Sequence, residues 1–238
     1  MTGSNRPPDR PEPSHGAAVS ARVVRVPWNR LGGWIQRYES RHLGTDWAVT
    51  PTLVTATSAD GSTVSFDVPL PPLAEPTMPA LLDHLDRDWH IAVVLVRRGG
   101  FAVARLVGDE VVESKVGQRH VQGRTKAGGW SQHRFARRRD NQARAAFDAA
   151  AGYVLTLLVP HARALDLLVS GGDQKAAAAV LEMPELSPLR TVSCQWLAGL
   201  PDPRRSVLDH AVGLVRSVAI EIVDTAPRAG DPANGRRS

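Results

Sequence analysis

The stretch "IAVVLV", Ile91 to Val96, decides the fold. It is a continuous, largely β-branched run, the pattern of a strand buried on both faces. "RRGG" after it turns the chain, Phe101 to Val107 reads as the next strand, "GDE" turns again, and Val111 to Val116 follows. Three consecutive strands with tight turns predict an antiparallel meander. Outward from there, a long Ala- and Arg-rich helix is expected from about Gln132 to Leu158. Leu165 to Val169 reads as a fourth strand with Gly171-Gly172 as its exit turn. Asp173 is placed to cap a helix running to about Met183. Thr191 to Trp196 reads as a fifth strand. Arg204 to Val223 reads as a final amphipathic helix, with Leu208, Ala211, Val212, Val215, Val218, Ala219 and Ile222 as its buried stripe.

The order βββ-α-β-α-β-α resembles ribonuclease H-like folds: an α/β (α+β) chain with a mixed sheet of three antiparallel strands followed by αβ units. A nuclease of that fold needs clustered carboxylates for two metal ions. The first strand here, "IAVVLV", has no acid, the second has none, and Asp166 on the fourth stands alone. Metal-dependent nuclease chemistry is disfavoured by the missing residues. No phosphate-binding loop and no dinucleotide fingerprint follows a strand. Ser170-Gly171-Gly172 is a turn and not a nucleophile elbow. The eight histidines show no metal-ligand spacing. The single cysteine, Cys194, excludes an internal disulfide and a Cys-based zinc site, and its apolar neighbours predict an inert core thiol. No metal and no cofactor are expected.

Ahead of this unit, Asn29 to His42 is expected to form a short helix with Leu31, Trp34, Ile35 and Tyr38 on one side. Thr50 to Thr57 and Thr63 to Val68 read as strands of a hairpin turned by Ala59-Asp60-Gly61-Ser62. "PLPPLAEPTMP", Pro69 to Pro79, marks an expected subdomain boundary. The expected division is therefore a disordered segment 1–20, a small N-terminal α+β subdomain 21–79, a main domain 80–225 and a disordered tail 226–238. No apolar run reaches the roughly 20 residues of a membrane helix, and the N-terminus lacks a signal-peptide pattern. A cytoplasmic protein with no membrane partner is expected.

Charge is concentrated in one place. The chain carries +5, yet Arg119 to Arg144 holds eight Lys or Arg and one acid, Asp140, a net +7. Such a cluster is the footprint of a polyanion partner, or else a solvated helix face. Inside it lies "RTKAGGWSQHRFARRRDNQARAAF", 124 to 147. Gly128 and Gly129 give a backbone without side-chain bulk, able to approach another molecule closely. Arg134, Arg137, Arg138, Asn141 and Arg144 fall at spacings of three or four along one helix face. The same composition also suits a mobile loop with a helix cap. His120 and His133 flank the loop, either to touch RNA or as scattered surface histidines.

"GGWSQHRFARRRDNQ" resembles the catalytic loop and following helix of the eukaryotic and archaeal class I peptide chain release factors. Those carry Gly-Gly-Gln and then a helix opening with Arg-Phe-Ala-Arg, here Arg134 to Arg137. The closer resemblance is to the VLRF family, release-factor relatives of the Vms type, and to its actinobacterial branch. That family uses a Gly-x-x-Gln variant, here Gly129-Trp130-Ser131-Gln132. "LDLLVSGGDQK", Leu165 to Lys175, is similar to the family's strand and glycine turn before a lysine. The resemblance spans about residues 80 to 224. It implies hydrolysis of the ester joining a nascent peptide to tRNA, in the peptidyl transferase centre of the large ribosomal subunit, without a metal. The implied partners are the ribosome, its rRNA and peptidyl-tRNA. Gly128 and Gly129 would thread the loop to the tRNA end, and Ser131 would order it. Gln132 would orient the attacking water, or its backbone N–H would stabilise the oxyanion. Arg119, Arg124, Lys126, Arg134, Arg137, Arg138 and Arg144 would hold RNA phosphates. Trp130 would stack on a base or pack on the domain. Room for the release factors' codon-reading and partner-binding domains is lacking, so a codon-independent factor acting on stalled ribosomes is expected. Two alternatives stand beside it: metal-free cleavage of tRNA near its CCA end, and a non-catalytic RNA-binding module.

Overall fold

The structure, a computed structural model, describes residues 19–118 and 130–225, with side chains from 21 to 117 and from 144 to 225. The tail 226–238 and nearly all of segment 1–20 lie outside the described residues. From the N-terminus the chain runs β1 (Val19–Pro27), α1 (Leu31–Arg41), β2 (Asp46–Val49), β3 (Leu53–Thr57), β4 (Thr63–Asp67) and α2 (Met78–Leu85). Then come β5 (His90–Arg97), β6 (Gly100–Val107), β7 (Glu110–Gln118), α3 (Trp130–Leu157) and β8 (Leu167–Gly172). The chain closes with α4 (Gln174–Leu181), β9 (Cys194–Leu197), α5 (Arg205–Val215) and β10 (Ser217–Thr225).

The buried run at Ile91 sits where its composition requires, at the centre of a five-stranded sheet ordered β7-β6-β5-β8-β9. β5, β6 and β7 are antiparallel, and β8 and β9 run parallel to β5. This is the expected ribonuclease H-like mixed sheet. Alternation along β5 divides its side chains between two cores. Ala92, Val94 and Val96 face a cluster with Ala150, Val154 and Leu158 around α3 and Ala176, Ala177 and Val180 of α4. Ile91, Val93 and Leu95 face a second cluster with Leu81 and Leu85 of α2 and Leu208, Ala211 and Val215 of α5. At the end of β8, Gly172 takes φ +101° and its α-carbon lies against the Val96 carbonyl, where a Cβ has no room. The Asp173 side chain accepts the Ala176 N–H at 3.0 Å and caps α4, as the sequence predicts.

The second sheet, ordered β1-β10-β4-β3-β2, is antiparallel throughout. The hairpin expected around Asp60 joins β3 to β4, and α1 covers the predicted helix, with Leu31, Ile35 and Tyr38 buried.

Three expectations are corrected. Arg204 to Val223 is not one helix: α5 stops at Val215, and Ser217–Thr225 is β10, seated between β1 and β4. Val218, Ile220 and Ile222 are buried while Ala219 and Glu221 are exposed, a period of two and not of 3.6. β1 begins at Val19, inside the segment expected to be disordered, because nine residue pairs with β10 satisfy its backbone. Cys194 is exposed and not a core thiol, because β9 is the edge strand of its sheet. Its Sγ lies 3.6 Å from Ser170 Oγ. Across the Pro-rich stretch at 69–79, one core joins Val54, Val64 and Phe66 to Ile91, Val93 and Leu95, and β10 returns the chain to the first sheet.

Candidate functional site

Helix α3 carries the candidate site. It is 28 residues long, about 42 Å at 1.5 Å per residue. Its C-terminal half is anchored. Ala146, Ala150 and Val154 recur every fourth residue, continue to Leu158 just beyond the helix end, and are all buried at 3% exposure or less. The last three pack on Val94, Val96, Phe101 and Val103 of the mixed sheet. Arg144, exposed, stands just before the first of these alanines.

The N-terminal half bears the predicted residues. The helix starts at Trp130, so Trp130, Ser131 and Gln132 form its first turn and not the end of a loop. Backbone N–H groups in a first turn have no intrahelical partner, and the helix dipole adds partial positive charge there. His133, Arg134, Arg137, Arg138 and Asn141 follow on the same helix. Gly128, Gly129, Arg119, Arg124, Lys126 and His120 lie outside the described residues.

A groove of about 170 Å³ opens between β7 and α3, lined by Gly100, Phe101, Lys115, Gly117, Ala146, Ala149 and Tyr153. The Phe101 ring stacks on Tyr153 with centroids 5.5 Å apart. Lys115 Nζ lies 5.2 Å from the Tyr153 centroid, a cation–π contact that joins β7 to α3. Gly117 pairs with Phe101 across the ladder, and a Cβ at 117 would overlap the Phe101 ring. These residues escaped the sequence reading. The available signal was Gly117, a glycine inside a strand pattern, which marks a close approach. Gly117→Ala is expected to push the ring out of place and cost roughly 1–3 kcal/mol. A thermal melt should read this as a Tm several degrees lower.

The lone acid of the fourth strand has a structural task. Asp166 accepts the His90 N–H at 2.9 Å through its carboxylate and returns its own N–H to the His90 carbonyl, also at 2.9 Å. It pins the start of β8 to the start of β5. Among the described residues no group of three or more His, Cys, Asp or Glu gathers in a metal-binding arrangement. No described helix is long and apolar enough to cross a membrane.

Residues 89–221 match the profile of the Actinobacteria/chloroflexi VLRF1 release factor family. No curated protein matches the chain. Among solved structures, the chain is similar to an archaeal translation termination factor, aRF1, at 17% identity and a TM-score of 0.33, over 61% of this chain and 46% of that one. A structure described as an archaeal protein overlaps at 16% identity and a TM-score of 0.36, over 66% of this chain and 48% of the other. The chain thus spans just under half the length of either. The matched segment runs from Trp89, ahead of the buried strand, through α3 and into β10, more than half of the 238 residues. The chain belongs to the Actinobacteria/chloroflexi VLRF1 release factor family.

Proposed function

We propose that the protein hydrolyses the peptidyl-tRNA ester on stalled ribosomes, independently of the codon, with Gln132 at the reacting centre. The observation that carries this reading is the start of α3 at Trp130, directly after Gly128-Gly129. Gln132 then sits in a first turn, where unpaired N–H groups and the helix dipole favour developing negative charge. In the reaction, water adds to the ester carbonyl and the carbonyl oxygen becomes an oxyanion. Collapse breaks the bond to the ribose oxygen, which takes one proton of the attacking water while the other passes to solvent, leaving a peptide carboxylate and a tRNA 3′-hydroxyl. Gln132 contributes by orienting the water with its side chain or by donating its N–H to the oxyanion. Ser131 orders the turn, and the glycine pair lets the backbone approach the tRNA end.

The anchored half of α3 makes it a lever for RNA contact. Its arginines are carried on the same helix whose C-terminal half packs on the sheet, so each phosphate contact also positions Gln132. Arg119, Arg124, Lys126, Arg134, Arg137, Arg138 and Arg144 are assigned to phosphates of rRNA or the tRNA acceptor stem, and Trp130 to a base. Replacing Arg137 and Arg138 by Ala is expected to weaken ribosome association. It should also flatten the dependence of log K on log salt by between about one and two. Titrations at several salt concentrations read both effects.

The reaction itself is tested on purified ribosome–nascent chain complexes with labelled peptidyl-tRNA, resolved on a denaturing gel. Free peptide with full-length tRNA is expected. Peptide still attached to a shortened 3′ fragment would replace hydrolysis by tRNA cleavage.

A further inference from the structure

We infer a second phosphate-binding site, for the backbone of RNA, between α1 and the edge of the antiparallel sheet. Helix α1 presents Trp34, Arg37, Tyr38 and Arg41 at spacings of three and four, and His42 follows. Arg22 of β1 and Ile222 of β10, partners in the strand ladder, face them. The open hollow between them is about 80 Å³, two to three waters' worth. That is the scale of one phosphate group and too small for a nucleoside.

The walls are built. Tyr38 is buried, its hydroxyl lies 3.3 Å from Ser58 Oγ, and its ring stacks between Trp34 at 5.4 Å and His42 at 4.3 Å. The acids nearby are engaged. Asp224 accepts from Arg22 Nε at 3.2 Å, Asp60 pairs with His42 Nδ1 at 2.8 Å, and Glu39 accepts the Trp47 indole N–H at 2.9 Å. Arg37 and Arg41 are exposed and have no carboxylate within ion-pair distance among the described residues. Two unneutralised guanidinium forks over a phosphate-sized hollow match bidentate phosphate recognition. A chain whose other concentrated charge, on and before α3, is also positive fits a polyanion better than an acidic protein. The site lies on the antiparallel sheet, whereas α3 packs on β5, β6 and β7 of the mixed sheet, so it stands whether or not Gln132 catalyses hydrolysis.

The test uses the full chain, Arg37→Ala/Arg41→Ala, Arg37→Lys/Arg41→Lys, and each pair combined with Arg137→Ala/Arg138→Ala. Binding of a short labelled single-stranded RNA is followed by fluorescence anisotropy across a salt series. Inorganic phosphate and polyglutamate serve as competitors, and circular dichroism checks folding. The alanine pair should weaken binding several-fold and reduce the salt slope by about one to two, with or without the α3 changes. The lysine pair should keep the slope and recover part of the affinity. Unchanged affinity and slope in the alanine pair would overturn the site. So would polyglutamate displacing RNA at equal charge, which marks an acidic protein partner. Inorganic phosphate protecting the site while RNA does not bind it would overturn the RNA assignment.

Discussion

Gln132→Ala should lower the rate of peptide release from stalled complexes by about 10²–10³-fold, the loss typical of removing one positioned polar group at an acyl-transfer centre. Binding should change little, because the arginines on α3 are untouched and alanine is a better helix former than glutamine. Single-turnover release at saturating protein separates the two quantities. The result also distinguishes the two roles open to Gln132. Alanine keeps the backbone N–H in the first turn of α3, so a rate within a few-fold of wild type would give the work to that N–H. A wild-type protein that binds and releases nothing would sink the hydrolytic reading. What remained would be an RNA-binding member of the release factor family.

The candidate site is read from residues whose chemistry is local. Gly128-Gly129, Gln132 and the arginine row follow one another in the chain, and a helix face at spacings of three and four needs no tertiary knowledge. The same locality explains the success at β5. Its six consecutive buried residues leave no polar face, so both sides must be covered whatever covers them. The groove beside α3 was not legible, because it is made by pairs far apart in sequence. Phe101 meets Tyr153, and Lys115 meets the same ring, only once the meander and the helix are docked. The pocket at α1 failed to appear for a related reason. Trp34 and Tyr38 read as an apolar stripe, and only the fold brings Arg22 to face them. β1 was invisible because its partner is at the other end of the chain: Val19 pairs with Thr225. Strand pairing over such a separation leaves no periodic mark on a local window.

β10 is the most instructive case, and it yields the second large effect. Positions 208, 211, 215, 218, 219 and 222 satisfy a helical period, and 218, 220 and 222 equally satisfy a strand. The β-branched run Val218, Ile220, Ile222 and Val223 tips the balance toward the strand. The two readings assign opposite fates to adjacent residues. In a helix Ala219 is buried and Ile220 faces outward. In the structure Ile220 is fully buried in the shared core, and Ala219 is exposed opposite Arg25. Ile220→Ala is therefore expected to cost about 2–5 kcal/mol, a large share of a typical 5–15 kcal/mol total. Ala219→Asp should fall within about 0.5 kcal/mol of wild type, with Arg25 across the ladder offering a weakly favourable pair. Urea unfolding of both variants measures the contrast, and the reverse ranking would restore the helix. One further outcome belongs to the same experiment. Ile220 shares its core with Ile91, Val93 and Leu95 on the face of the mixed sheet opposite α3. The loss should therefore appear as a single shifted transition, by tryptophan fluorescence and by circular dichroism alike. Two separated transitions would mean that the antiparallel sheet melts alone, leaving α3 and its arginines standing on an intact mixed sheet.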